Sequence, residues 1–361
     1  FFCGIMADKL HPESKEEKND NMMTAAVYES HGTPTEVIKL QKIKIPQITK
    51  DNQVLVQVYA AGMNPVNFKL VEGRLGLAGP SLPCTDGLDI AGVVSKVGKS
   101  CKRLKPGDKV WGKVPLPHFG ATGSFAEYAL VPENCLDLKP DEITFKEAAG
   151  LGVVVFTGYQ ALIVKGGIKP GQKILILGGS GGTGTIGIQI AKHICGAYVA
   201  TTCSERNIEL VRNLGADRVI NYREENWSEV LAGENYDFIY DCVGGETHWA
   251  DAQKVLNPNT GHFLTITGDF SDTPHFSVGK FLQVGMQIAG RKIGSFFGGI
   301  KYDFIGPSLT LEQFKNINQW LVEKKLRCLV DKTYPFDKIY EAYDYQHSGR
   351  AVGKVIVVVK E

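Results

Sequence analysis

The stretch KILILGGSGGTGTIG (173–187) sets an apolar run against a glycine-rich loop containing Gly179-x-Gly181-x-x-Gly184. Glycine enters positive φ without a steric penalty. A backbone without Cβ atoms also lets a pyrophosphate reach the N–H groups themselves. A helix that opens near Thr183 presents unpaired N–H groups and the positive end of its dipole. Gly179, Ser180, Gly181, Gly182, Thr183 and Gly184 are therefore candidate phosphate-binding residues. The spacing alone is weak evidence; a strand before it and a helix after it give it meaning. The competing reading is a glycine-rich turn that holds nothing.

A second chemical signal follows about 20 residues on, where a dinucleotide-binding unit selects its cofactor. An acid there accepts hydrogen bonds from the ribose of NAD. Here the segment is TTCSERN (201–207), with Ser204 and Arg206. A hydroxyl and a guanidinium suit a 2′-phosphate, which arginine binds as a fork. Glu205 is discordant and is expected to face solvent. NADPH is the expected cofactor.

These residues need elements to hold them. KILIL is a continuous apolar strand, as a parallel sheet buried on both faces requires. Ile186, Ile190 and Ile194 recur at helical spacing. Strand and helix patterns then alternate: AYVATTC, NIELVRNLG, RVINY, a helix near 226–232, DFIYDCVG, a helix over 246–256, and HFLTIT. That alternation predicts a doubly wound parallel sheet. Residues 24–150 read differently, as short strands with Gly/Pro turns such as VLVQVYAAGM, DIAGVVSKVG and KPGDKVWG. The end of the chain returns to that style after an amphipathic helix starting near Thr310. The fold class is α/β: a β-rich domain, 24–154 and 297–361, wrapped around an inserted nucleotide-binding domain, 155–296, with 1–23 as a disordered tail.

The bulk numbers agree. The chain has 361 residues, 43% hydrophobic and 22% charged, with a net charge of +1. Nothing in that balance favours nucleic acid or an anionic membrane. No apolar run approaches the ~20 residues of a membrane span. Asp8, Glu13, Glu16, Glu17 and Asp20 argue against a transit peptide, which is acid-poor. A cytoplasmic protein is expected. Its eight cysteines are scattered without a C-x-x-C pair and read as reduced structural thiols.

The chain resembles the medium-chain dehydrogenase/reductase superfamily, in the zinc-free quinone oxidoreductase branch. It is most similar to the plant-type enone/quinone oxidoreductases. The motifs that carry this are AAGMNPVNFKLVEG (60–73), DGLDIAGVVSKVG (86–98), LKPGDKVWG (104–112), AAGLGVVVFTGYQAL (148–162), the glycine loop, TTCSERNIELVRNLGADRVINY (201–222) and GRAVGKVIV (349–357). The resemblance implies a GroES-like catalytic domain plus a Rossmann domain, with the active site in the cleft. It implies that Ser204, Arg206 and Tyr222 form the 2′-phosphate site and that Gly181, Gly182 and Thr183 hold the pyrophosphate. It places Thr157 against the nicotinamide, and Cys242, Val243 and Gly244 along the cofactor ribose. It puts Asn64 and Lys69 in the active-site N-P-x-x-x-K stretch. Asn64 would also touch the cofactor.

Departures matter as well. Zinc alcohol dehydrogenases carry a cysteine ligand where NPVNFK stands, Gly-His-Glu where Gly87-Leu88-Asp89 stands, and a cysteine-rich structural lobe. All three are missing, so no metal is expected. Lys69 supports the enone-reductase subgroup, since some relatives have tyrosine there. Many plant-type members have Asp where Asn67 stands, which bears on the local hydrogen bonds.

Without zinc, a conjugated carbonyl is the expected substrate, an α,β-unsaturated ketone or aldehyde or a quinone. Hydride from NADPH reaches the β-carbon, and the protein supplies orientation, a donor to the carbonyl oxygen and a proton. Asn64 and Lys69 are the candidate catalytic residues. Phe296, Phe297 and Tyr302 in SFFGGIKYDF are candidate pocket residues, with His118 and Phe119 as further aromatic candidates. The alternatives are an NADPH-binding module with a regulatory or RNA-binding role, and a zinc-type alcohol dehydrogenase that the missing ligands oppose. A homodimer through a strand near 284–290 is also expected.

Overall fold

In the computed structural model, residues 21–361 are described except 77–78, 116–121, 269–277, 297 and 307; for 278, 280–282 and 296 only the backbone is. His118, Phe119, Phe297 and the side chain of Phe296 thus lie outside the described residues.

Six parallel strands form one sheet, side by side in the order Arg218–Asn221, Tyr198–Cys203, Lys173–Leu177, Phe238–Asp241, His262–Thr265 and Lys301–Phe304. In chain order that is third, second, first, fourth, fifth, sixth, the Rossmann arrangement. Strand order reverses beside Lys173–Leu177, so the crevice at its carboxyl end is the place for a ligand. KILIL is central because it is apolar on both faces: Ile174 and Ile176 pack with one layer of helices, Leu175 and Leu177 with the other.

The rest of the chain builds the GroES-like domain. Its main sheet runs Val330–Pro335, Lys354–Val358, Gln53–Met63, Asp89–Val97, Lys109–Lys113 and Leu136–Leu138, with Tyr128–Pro132 also on Gln53–Met63. A three-stranded sheet joins Ile38–Lys44, Met22–Tyr28 and Cys84–Thr85. Inward-facing Val54, Val56 and Val58 fill the interior with Ile90, Val110 and Val357. The helix Leu311–Val322 opens on Thr310, whose Oγ1 accepts from Gln313 N–H while Gln313 Oε1 accepts from Thr310 N–H. Its Phe314 packs on both Trp111 and Phe156, joining the two domains.

Three expectations are corrected. The first strand starts at Met22, inside the segment read as a tail. Residues 284–290 are not a strand but part of the helix Val278–Phe296. The strand Lys301–Phe304 belongs to the Rossmann sheet, beyond the expected boundary at 296. The cysteines of the described residues are free thiols, as expected. No helix among the described residues is long and apolar enough to cross a membrane.

Candidate active site

The glycine loop joins the central strand to the helix Gly182–Gln189, as its spacing predicts. Gly178 sits at φ +79°, which starts the turn. A Cβ on Gly184 would lie 2.2 Å from the Gly178 carbonyl oxygen, so glycine is required where helix and strand end meet. Gly181 differs: a Cβ there would meet only Gly178 O, at 3.5 Å. The loop therefore presents an open side at Gly181, beside the unpaired N–H groups of the helix's first turn. This cradle fits a dinucleotide pyrophosphate.

Ser204, Arg206 and Tyr222 come together at neighbouring strand ends. Tyr222 N–H donates to Cys203 O at 3.2 Å, so its backbone follows the strand end next to the one that Ser204 follows. The Tyr222 side chain is 55% exposed, and Glu205 is exposed as expected. Arg206 reaches the other domain, its Nη2 donating to Arg350 O at 3.1 Å. Arg223 stacks over Tyr222, 5.9 Å from the ring centroid.

Cys242, Val243 and Gly244 form the turn after the fourth sheet strand. Asp241, which sequence reasoning missed, builds it. One carboxylate oxygen accepts from Val243 N–H (3.1 Å), Gly244 N–H (2.9 Å) and His248 Nδ1 (3.1 Å), and the other from Thr265 Oγ1 (3.0 Å). The signal was an acid closing a buried apolar strand. Val243 lies against the glycine loop, where a Cβ on Gly178 would meet it at 2.7 Å. Thr157 is buried in the helix Gly152–Tyr159, donating to Val153 O at 2.6 Å. That helix also abuts the loop, through Val154 beside Gly182.

Asn64 precedes the helix Pro65–Val71, which carries the half-buried Lys69. Asn64 is only 2% exposed. Its Oδ1 accepts from Lys354 Nζ at 2.6 Å, and its Nδ2 donates to Asp89 Oδ2 at 2.9 Å. Asn64 is expected as a donor to cofactor or substrate; its amide is instead engaged inside a buried cluster, with Gly62 O also 3.5 Å from Nδ2. Lys354 Nζ also donates to Met63 O at 2.8 Å and Asp89 Oδ2 at 3.0 Å, so all three of its protons are used. Asp89 Oδ1 accepts from Val153 N–H at 2.6 Å, tying the cluster to the helix that bears Thr157. Lys354 Cδ lies under Gly182, and Gly353 N–H donates to Ser180 O at 2.9 Å. One residue thus touches both the phosphate loop and the head of the Lys69 helix. Neither spacing nor periodicity reveals it, because its partners are 265 to 291 residues away.

Tyr302 is corrected as a pocket residue. It is buried in the Rossmann core, stacked on Phe263 at 5.8 Å and edge-on to Trp249 at 5.1 Å.

A family model described as "Zinc-binding dehydrogenase" matches residues 214–357, and one described as "Alcohol dehydrogenase GroES-like domain" matches 50–141. The donor set does not fit the metal in the first description. Among the described residues no three His, Cys, Asp or Glu side chains gather to hold an ion, and Asp89 is already balanced by an ammonium. The chain is 36% identical to the 2-methylene-furan-3-one reductase of Solanum lycopersicum, over 93% of this chain and 79% of that protein. It is 35% identical to the NADPH-dependent alkenal/one oxidoreductase, chloroplastic, of Arabidopsis thaliana, over 93% and 79%. The solved quinone oxidoreductase of Coxiella burnetii superposes with a TM-score of 0.78 at 26% identity, covering 94% of this chain and all of that one. The chain belongs to the medium-chain dehydrogenase/reductase superfamily, among its enone and quinone oxidoreductases.

Proposed function

We propose that the protein reduces a conjugated carbonyl, an α,β-unsaturated ketone or aldehyde or a quinone, with NADPH and without zinc. The observation that carries this is the convergence at Lys354: the phosphate loop and the Lys69 helix meet on one buried ammonium. NADPH, when bound, supplies the hydride for the β-carbon. Gly181, Gly182 and Thr183 hold its pyrophosphate, and Ser204, Arg206 and Tyr222 its 2′-phosphate. Thr157 and the 242–244 turn border the nicotinamide half. Asn64, locked by Lys354 and Asp89, fixes where the Lys69 helix starts. Lys69 donates to the carbonyl oxygen, where negative charge gathers as the β-carbon is reduced. The proton that completes the reduction comes from Lys69 or water.

Loss of NADPH absorbance against a panel of enones, quinones and aldehydes tests the reading. Turnover of the conjugated members, unchanged by a chelator, is expected. No turnover on any member overturns the enzyme reading, and loss on chelation overturns the zinc-free one. Arg206→Ala should raise KM for NADPH at least about tenfold, the worth of one charge-assisted contact, and leave KM for NADH nearly unchanged. Equal effects on both cofactors rule out Arg206 as a 2′-phosphate ligand.

A further inference from the structure

A second buried polar chain meets the Asn64 cluster from the opposite side. Asn64 N–H donates to Asn67 Oδ1 at 2.7 Å, and Asn67 Nδ2 donates to Asp86 Oδ1 at 2.9 Å. The same Asp86 oxygen accepts from Gly87 N–H at 2.7 Å, while Asp86 Oδ2 accepts from the hydroxyl of Tyr343. Asn67, Asp86 and Tyr343 are all buried. Tyr343 stands on the helix Ile339–His347, near the other end of the chain. Tyr28 and Cys84 are the remaining titratable groups that face Asp86.

The donor and acceptor pattern is directional. Asn67 accepts on one side and donates on the other, which an amide does at any pH and a carboxyl only while protonated. Asp86 must accept three times, and a carboxylate does that without rearrangement. Asp86 is also in an unfavourable place for a charge. Burial raises its carboxyl to about 6, against the hydrogen bonds that favour ionisation. The native state therefore holds this proton longer than the unfolded chain does. Stability falls as pH rises from 3.8 through about 6. A buried carboxylate that costs stability at neutral pH is what a functional site tolerates.

We propose that Asp86 is a positioning residue: through Asn67 it sets where Asn64 and the Lys69 helix stand, and Tyr343 ties that setting to the C-terminal helix. The inference rests on reading Pro65–Val71 as part of the active site. It adds a specific rule, that position 67 must present a hydrogen-bond donor to a carboxylate at position 86.

Asn67→Asp tests the rule. It places two carboxylates face to face, and such a pair keeps one shared proton until the pH rises past a raised pKa. Turnover of an enone should fall about tenfold between pH 6 and pH 8 relative to the wild type over the same range. Hydrogen exchange of residues 64–72 should rise over the same range relative to wild type. The double variant N67D/D86N removes the second carboxylate and should lose this fall and the pH-dependent part of the extra exchange, while the Gly87 N–H, from which the new NH₂ group at position 86 cannot accept, keeps turnover below wild type. A pH profile parallel to wild type, or a double variant that keeps the fall, overturns the proposal. If Asn67→Asp does not fold at pH 6, Tyr343→Phe replaces it: lower kcat at unchanged KM for NADPH, with faster exchange in 64–72, is expected, and unchanged exchange overturns it. If the wild type turns over no carbonyl, the functional reading fails, while the exchange arm still decides this one.

Discussion

Lys354→Met should destabilise the protein by about 3–5 kcal/mol and reduce kcat on any enone substrate at least about tenfold. The lysine side chain is 4% exposed and Asp89 is fully buried. Methionine keeps the stem that packs beneath Gly182 and removes only the charge. Asp89 is then left as a buried carboxylate with two neutral donors, Asn64 Nδ2 and Val153 N–H. Removing one partner of a buried pair is costly for that reason, whereas neutralising both is often tolerated. Asp89→Asn in the Lys354→Met background should therefore recover most of the loss. Its amide oxygen still accepts from Val153 N–H. The Asn64 amide, no longer held by an ammonium, turns to accept from the new NH₂ group. The coupling in that cycle, read from urea denaturation, should exceed about 1.5 kcal/mol. A Lys354→Met protein within about 1 kcal/mol of wild type would show that the ion pair does not hold this junction. Activity should recover less than stability, because the turned amide no longer fixes the head of the Lys69 helix as before.

What the residues disclosed in advance, and what they hid, follows from the range of the forces involved. The strand–loop–helix at 173–189 was legible because its signals are local: an apolar run, then glycines, then isoleucines at helical spacing. The candidate 2′-phosphate residues Ser204 and Arg206 were nominated for the same reason, since they sit at a fixed distance beyond the loop, whereas Tyr222 entered through the family resemblance. The segment 284–290 was expected as a dimer-edge strand from the family resemblance, yet it is helix. Its inward stripe is the buried Val284 with the half-buried Ile288, Arg291 and Ser295, while Met286 and Ile293 are exposed. That is a helical period. Tyr302 lay in a glycine-rich context that resembles a loop, yet it completes the sixth strand and its ring goes to the core. Lys354 was hidden differently. A lysine heading the apolar run GKVIVVV reads as the solvated end of a strand. Its burial is decided by Met63, Asn64 and Asp89, which the sheet brings to it from the far end of the chain. Asp86 and Tyr343 were hidden in the same way. The elements were local information, and the polar junctions between them were not.

The two kinds of glycine in the phosphate loop give the other large effect, and a pair of alanines separates them. Gly184→Ala drives a Cβ to 2.2 Å from Gly178 O and 2.8 Å from Gly179 Cα. Both are backbone atoms, so no side chain can yield, and helix and strand end must part. A loss of about 3 kcal/mol in stability is expected, at the upper end for overpacking, with NADPH affinity reduced about a hundredfold as the N–H groups lose their aim. Gly181→Ala has no such conflict. Its φ of −77° suits alanine, and the only neighbour of its Cβ is Gly178 O at 3.5 Å, an ordinary contact. The apo protein should melt as wild type does. The methyl group instead stands on the open side of the loop, where the pyrophosphate must approach. Wild-type protein gains about 2.7 kcal/mol from NADPH at a hundred times Kd; Gly181→Ala at that concentration should gain almost none. Thermal melts with and without NADPH read both variants in one experiment. If Gly181→Ala keeps the full ligand-induced shift, the phosphate does not approach at Gly181 and the cradle assigned to this loop is wrong. If Gly184→Ala melts as wild type does, the close approach of helix to strand is not what the loop's glycines maintain. The expected result, one variant losing fold stability and the other losing only the ligand's contribution to it, assigns Gly184 to the turn and Gly181 to the cofactor.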